Sequence, residues 1–184
     1  MPVNMQSHTS LPGPEDITRV ELPNGITVLA RPNYNTQSVV VSGYLMAGSL
    51  YDPPKKLGLA YFTALGLMRG TQQRTFQQIY DALESVGATL GMYSGNHTTG
   101  FNGRCLAEDL PLLFTLLREG LQEPVFPAEQ VERLRAQILT GLAIRAQDTG
   151  EMASMGFDQI IYANHPYRLR SEERRVGKEC RSRW

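Results

Sequence analysis

Apolar runs flank Pro23-Asn24-Gly25 on both sides, Ile17–Leu22 before it and Ile26–Ala30 after it. The pattern predicts two strands joined as a hairpin, because Asn and Gly tolerate the positive φ of a tight turn and Pro23 ends the first strand. Val39–Met46 is β-branched and aromatic and reads as a central strand. Leu57–Thr71 is apolar almost all the way round, with the length of a short buried helix and a stop at Gly70-Thr71. Thr75 offers an N-cap for a second helix. Phe76, Ile79, Leu83 and Val86 lie on one face of it, and Gly87 closes it. Ala88–Ser94 and Thr98–Leu106 read as strands with Gly95-Asn96-His97 at the bend. A third helix runs from Ala107 to Leu121 on a stripe of Leu110, Leu113, Leu117 and Leu121. Pro124 and Pro127 bracket a turn, and a long helix follows from Ala128 to about Ala146 with Val131, Leu134, Ile138 and Leu142 on one face. Thr149–Ala163, with Met152, Met155, Phe157, Ile160 and Ile161, reads as a last helix. This order predicts an α+β fold, an antiparallel sheet with helices packed on one face.

The two ends stand apart from this pattern. Residues 1–15 hold Pro2, Pro12 and Pro14 among small polar residues and read as a flexible lead-in. Residues Arg170–Trp184, RSEERRVGKECRSRW, carry no apolar period, and six of the fifteen are basic. Residue by residue the string resembles the translation of a common sequencing-library adapter, so it is read as an artefactual tail and left out of the fold. Without it 12 basic and 15 acidic residues remain, a net charge of −3 where the whole chain has zero. Neither balance points to nucleic acid or a membrane surface. No run of apolar residues is long enough to span a bilayer, and the N-terminus has no basic start followed by an apolar stretch, so a cytoplasmic protein is expected. Cys105 and Cys180 have no metal-ligand spacing, and Cys105 is expected to be a free buried thiol.

Within the Leu57–Thr71 helix, Gly58-Leu59-Ala60, Phe62 and Gly70-Thr71 form a frame. It resembles the zinc helix of pitrilysin/insulinase-type metallopeptidases, roughly G-L-A-H-F-x-E-H-x-x-x-x-G-T. That helix carries the inverted H-x-x-E-H motif, in which two imidazoles one turn apart hold zinc and the Glu between them takes a proton from the metal-bound water. Matching the motif to this chain puts Tyr61 at the first His, Ala64 at the Glu and Leu65 at the second His. A distal Glu ligand in the family's later helix falls by spacing on Gly141, in Gln137-Ile138-Leu139-Thr140-Gly141-Leu142. All four functional positions lack the required side chain, so no catalytic residue and no metal ligand is expected here.

The resemblance runs from about Ile17 to Tyr167 and rests on an ordered series of segments. These include the L-x-N-G-[LI]-x-V opening, the Gly48-Ser49 … Asp52 stretch before the zinc helix, and Asn164-His165-Pro166-Tyr167, which matches a structural G-x-H-P-Y loop. It implies residues 16–169 as an incomplete N-terminal half of the family's α/β-roll domain pair, with a second half beyond. It also implies that the edge of the Ala88–Leu106 hairpin binds peptide by strand addition, at Gly91, Met92 and Tyr93. The expected function is a non-catalytic homologue that partners an active peptidase subunit of the same family, helps enclose peptide substrate, and leaves zinc to that partner. A structural core-type subunit of a larger complex, and a hydrolase with a different site, are the alternatives. No Ser/His/Asp or Cys/His set supports the last. His165, His97 and His8 have no ligand spacing between them.

Overall fold

A computed structural model describes residues 13–53 and 55–168. The tail at 170–184, with Cys180, and most of the 1–15 lead-in, with His8, lie outside the described residues. The chain divides into two compact units, Met1–Gln37 and Ser38–Trp184.

The smaller unit is a hairpin of β1 (Thr18–Glu21) and β2 (Thr27–Ala30), paired antiparallel with Val20 opposite Val28. Its turn differs from a two-residue Asn-Gly turn. Pro23 holds its φ negative, the Gly25 amide bonds to the Leu22 carbonyl (2.9 Å), and only Gly25 takes positive φ (+85°). The outcome is a three-residue loop, closed by the Leu22 amide donating to the Ile26 carbonyl at 2.8 Å.

The larger unit is built on a three-stranded antiparallel sheet, β3 (Ser38–Leu45), β4 (Thr89–Ser94) and β5 (Thr99–Leu106), in the order β3-β5-β4. The fold is α+β, with the antiparallel pairing distributed over two sheets. Period two separates the faces of the larger sheet. Val39, Val41, Leu90, Met92 and Cys105 belong to or pack on the core, while Val40, Tyr44 and Tyr93 are exposed. Two helices cover the core face: α2 (Phe76–Ser85) with Ile79 and Leu83, and α3 (Leu110–Gln122) with Leu113 and Leu116.

Each helix starts where its polar residues dictate. Thr75 and Gln78 form a reciprocal capping box at α2, the Thr75 hydroxyl accepting from the Gln78 amide (3.3 Å) and the Gln78 side chain accepting from the Thr75 amide (2.8 Å). In α3 the stripe turns from the expected Leu110–Leu121 line. Leu116 is buried, Leu121 is exposed, and Gly120 faces inward with Met68 Sδ only 2.7 Å from where a Cβ would stand. The inward line follows 3.6 residues per turn through Leu113, Leu116, Leu117 and Gly120, and position 121 falls past it. Cys105 is a free, buried thiol, as expected. Burial pushes its pKa up, and the Asp109 carboxylate adds to the rise.

Two further helices complete the unit, α4 (Ala128–Arg145) and α5 (Thr149–Ile161). Leu134 and Ile138 of α4 form a second, smaller core. The Asp148 side chain caps α5, accepting from the Glu151 amide at 2.9 Å. The apolar residues of α5 lie at the surface, with Ile160 78% exposed and Phe157 63% exposed.

The segment between β3 and the next helix is pinned by the β4–β5 hairpin tip. The amides of Gly48, Ser49 and Leu50 donate to the carbonyls of His97, Gly95 and Asn96, each at 3.0 Å. Ser49 is fully buried there. A Cβ on Gly48 would stand 2.4 Å from the Asn96 carbonyl oxygen, and backbone on both sides prevents it from yielding. Gly48→Ala is therefore expected to lower stability by about 1–3 kcal/mol, measured by urea denaturation. An unchanged midpoint would show that the hairpin tip does not clamp this segment.

Candidate functional site

The helix singled out by sequence is α1, Leu59–Gly66. It is shorter than the apolar run predicts. Leu67 caps it, and residues 67–70 leave the helix before the Gly70-Thr71 stop. It is also less enclosed than a core helix, with Ala64 and Gly66 buried and its other residues half-buried.

Its N-terminus is held by a residue outside it. Asp52 Oδ2 accepts from the Gly58 amide (2.7 Å), and Asp52 Oδ1 accepts from the Ala60 amide (2.9 Å). A carboxylate here satisfies amides that have no intrahelical partner and sits at the positive end of the helix dipole. Sequence reasoning placed Asp52 in the segment before the helix but missed this role. A capping residue is sought next to the helix, and Asp52 lies six residues before Gly58 in the sequence.

Downstream of α1 a strap ties the chain to the end of α3. The Gln72 amide donates to the Glu123 carbonyl (2.9 Å), and the Val125 amide donates to the Gly70 carbonyl (3.1 Å). Arg74 forms an ion pair with Glu119, whose side chain is only 4% exposed. With both ends fixed, α1 lies against β4 and α4.

Tyr61, Leu65 and Gly141 come together. They line one cavity of about 210 Å³ between α1 and α4, with Arg69, Leu134, Gln137, Ile138, Leu142 and Arg145. Ala64 does not line it and is 1% exposed. The floor continues the small apolar core, in which Tyr61, Phe62, Leu65 and Leu142 pack against Leu134 and Ile138. A Cβ on Gly141 would meet nothing within 4 Å.

These donors do not fit zinc. The cavity offers a phenol, two amide or guanidinium types and aliphatic groups, with neither imidazole nor carboxylate. Among the described residues no three His, Cys, Asp or Glu side chains stand close enough to hold a metal ion. The two described histidines lie elsewhere. His97 Nε2 hydrogen-bonds Tyr167 Oη, and the His165 ring stands edge-on to Tyr167 with centroids 4.5 Å apart. Tyr162 joins this cluster at 5.6 Å from Tyr167. Neither spacing nor periodicity signalled the meeting of His97 with Tyr167, since 70 residues separate them.

The proposed peptide edge has a definite setting. β4 pairs with β5 on one side, and among the described residues no strand pairs with its other side. Met92 packs toward the core, Gly91 is exposed, and Tyr93 is 45% exposed with its ring over Gly100.

This architecture is an α+β half-domain of the metallopeptidase α/β-roll type. The chain belongs to the family described as Insulinase (Peptidase family M16), whose sequence profile matches residues 27–167. It is 27% identical over 158 residues to mitochondrial-processing peptidase subunit beta of Saccharomyces cerevisiae, covering 86% of this chain and 32% of that protein. It is 28% identical over 139 residues to cytochrome b-c1 complex subunit 1, mitochondrial, of Mus musculus, covering 76% of this chain and 28% of that one. In fold it is similar to the crystal structure of a peptidase M16 inactive domain from Pseudomonas fluorescens, with a TM-score of 0.78 at 24% identity, over 85% of this chain and 38% of that one. The chain thus spans about a third of the length of these relatives.

Two substitutions test the construction of the site. Asp52→Ala is expected to cost about 1–2 kcal/mol, the range of a lost helix cap, and to speed amide exchange at Gly58 and Ala60. Unchanged protection at those two amides would remove Asp52 from this role. Gly141→Ala, mid-helix and open at the Cβ, is expected to raise stability by about 0.5–1 kcal/mol. A loss instead would mean that position 141 is more crowded than its geometry indicates.

Proposed function

We propose that this chain belongs to a non-catalytic subunit that assembles with an active peptidase of its own family. One observation carries the reading. Tyr61, Leu65 and Gly141, at three of the four positions of the zinc site, line a single cavity that has no imidazole or carboxylate among its described lining residues. An inverted zincin needs two imidazoles and a carboxylate on the metal and a second carboxylate as base. Here aliphatic and phenolic groups fill the ligand positions, and Ala64, at the base position, cannot accept a proton. Site chemistry can be lost while the fold persists, because hydrogen bonds from Asp52, Gly48 and the strap hold the frame around α1.

The relatives support a subunit role in general terms, since two of them are named as subunits, one of mitochondrial-processing peptidase and one of the cytochrome b-c1 complex. In this reading zinc resides in the partner, and peptide adds as a strand along β4 at Gly91, Met92 and Tyr93. The similarity to cytochrome b-c1 complex subunit 1 favours a second reading, a structural subunit of a larger complex. Among the described residues no helix is long and apolar enough to cross a membrane. The cytoplasmic location stays a proposal, and the names of two relatives place them in mitochondria.

The test is metal analysis and peptide hydrolysis on the purified chain, alone and mixed with a family member that has an intact H-x-x-E-H. The chain alone is expected to carry no zinc and to cleave nothing. The mixture is expected to cleave peptide faster than the partner alone. One equivalent of zinc with cleavage by the lone chain would overturn the reading, and stable assembly without any gain in cleavage would favour the structural subunit. Tyr61→His, Leu65→His and Gly141→Glu together are expected to create zinc binding, with Ala64→Glu needed only for hydrolysis. A folded triple variant that takes up no zinc would show that these positions do not correspond to the family's ligands.

A further inference from the structure

The turn between α3 and α4 holds its backbone in a conformation that its own residues oppose. Phe126 has a φ of +45°, and among the described residues it is the one non-glycine with positive φ. An L-residue there brings its Cβ against the following carbonyl oxygen, and for a bulky side chain the conformation is an outlier. Pro127 comes next, and a proline pushes the residue before it toward extended backbone. No local preference of Phe126-Pro127 yields this turn, so contacts elsewhere impose it. Those contacts lie on the end of α1 and on the strap. A Cβ on Gly66, the last residue of α1, would stand 2.8 Å from Phe126 Cε1 and 3.0 Å from Phe126 Cδ1. A Cβ on Gly70 would stand 3.0 Å from Pro127 Cγ. Two glycines four residues apart thus form a socket for two consecutive rings. Backbone closes it, with the Val125 amide donating to the Gly70 carbonyl at 3.1 Å and Thr71 bridged to Pro124.

On its far side the turn runs straight into α4, whose Val131 amide donates to the Pro127 carbonyl at 2.9 Å. Leu134, Ile138, Gly141 and Leu142 of α4 and Tyr61 and Leu65 of α1 supply the two walls of the cavity. We propose that Phe126 and Pro127, seated on Gly66 and Gly70, form a strained latch that fixes α4 against α1, and that the two walls part when the rings leave the socket. The Phe126 ring is only partly enclosed, with the residue 36% exposed, and backbone strain offsets part of what its burial contributes. A contact balanced in this way opens before the core does. Opening moves α4 as a unit, because its helical hydrogen bonds are internal to it. The movement uncovers the faces of Leu134 and Ile138 that pack on Tyr61 and Leu65. Neither Phe126 nor Pro127 lines the cavity; both are positioning residues that act through α4, whatever the cavity holds.

Native-state hydrogen exchange of the full-length chain tests the latch, read at the amides of residues 134–142 in α4 and 103–105 in β5. Phe126→Ala is expected to lower protection in α4 about tenfold more than in β5. A contact that served global stability alone would lower both by the same factor. Gly66→Ala is expected to give the same unequal loss from the other side of the socket, although alanine inside a helix ordinarily stabilises it. Equal loss in α4 and β5 in both variants, or no loss in either, would overturn the latch. Should Phe126→Ala fail to fold by circular dichroism, Gly66→Ala, which keeps the ring, decides: unequal loss supports the latch and equal loss overturns it. The strain is read from urea denaturation of Phe126→Gly beside Phe126→Ala. Both lack the ring, and only glycine takes positive φ freely. The glycine variant is therefore expected to have a folding equilibrium constant about fivefold larger, the reverse of the order that unfolded-chain entropy gives elsewhere. A glycine variant no more stable than the alanine one would overturn the strained turn.

Discussion

The inner face of β5 is the constraint on which the larger unit depends. Cys105 is buried in it, and Gly103 lets Leu113 of α3 approach to where a Cβ would lie 3.1 Å away. β3 and β4 flank this strand in register, with Val39 opposite Cys105 and Leu90 opposite Gly103. The helices α2 and α3 exist as helices because they have this surface to cover. Amphipathic segments of their length draw most of their stability from a buried face. Ile79, Leu83, Leu113 and Leu116 supply that face, and full burial of each such side chain contributes about 1.5–3 kcal/mol.

The helix α1 is held differently. It has few buried residues of its own, and its position is set at its ends by hydrogen bonds to backbone and by one carboxylate. Gly48 and Ser49 are locked to the hairpin tip, Asp52 spans the loop to the first turn, and the strap from Gly70 to Arg74 is fastened to the end of α3. None of these contacts involves Tyr61, Ala64 or Leu65. The contacts that place α1 are thus separate from the side chains at 61, 64 and 65, and a fold held in this way does not by itself fix the chemistry of its site.

The lining of the cavity differs from that of a metal site. In a metal site the cation organises the carboxylates around it and the groups that hydrogen-bond its ligands. Tyr61, Leu65 and Leu142 pack against Leu134 and Ile138 as ordinary core, and Arg69 and Arg145 line the same cavity.

Much of this could be read from the sequence. Period two located the strands, period 3.6 located the helices, and Thr75 with Gln78 announced the start of α2, because each is a local consequence of side-chain direction and backbone hydrogen bonding. The motif frame assigned Tyr61, Leu65 and Gly141 to one site from spacing, although no local rule relates position 65 to position 141. Tertiary structure decided what depends on contact between distant segments. It made Asp52 the cap of α1, turned Gly120 rather than Leu121 inward, joined His97 to Tyr167, and set Arg69 and Arg145 on the same cavity. A side chain's own chemistry limits what it can do. Its partner is chosen by packing, which no window along the chain contains.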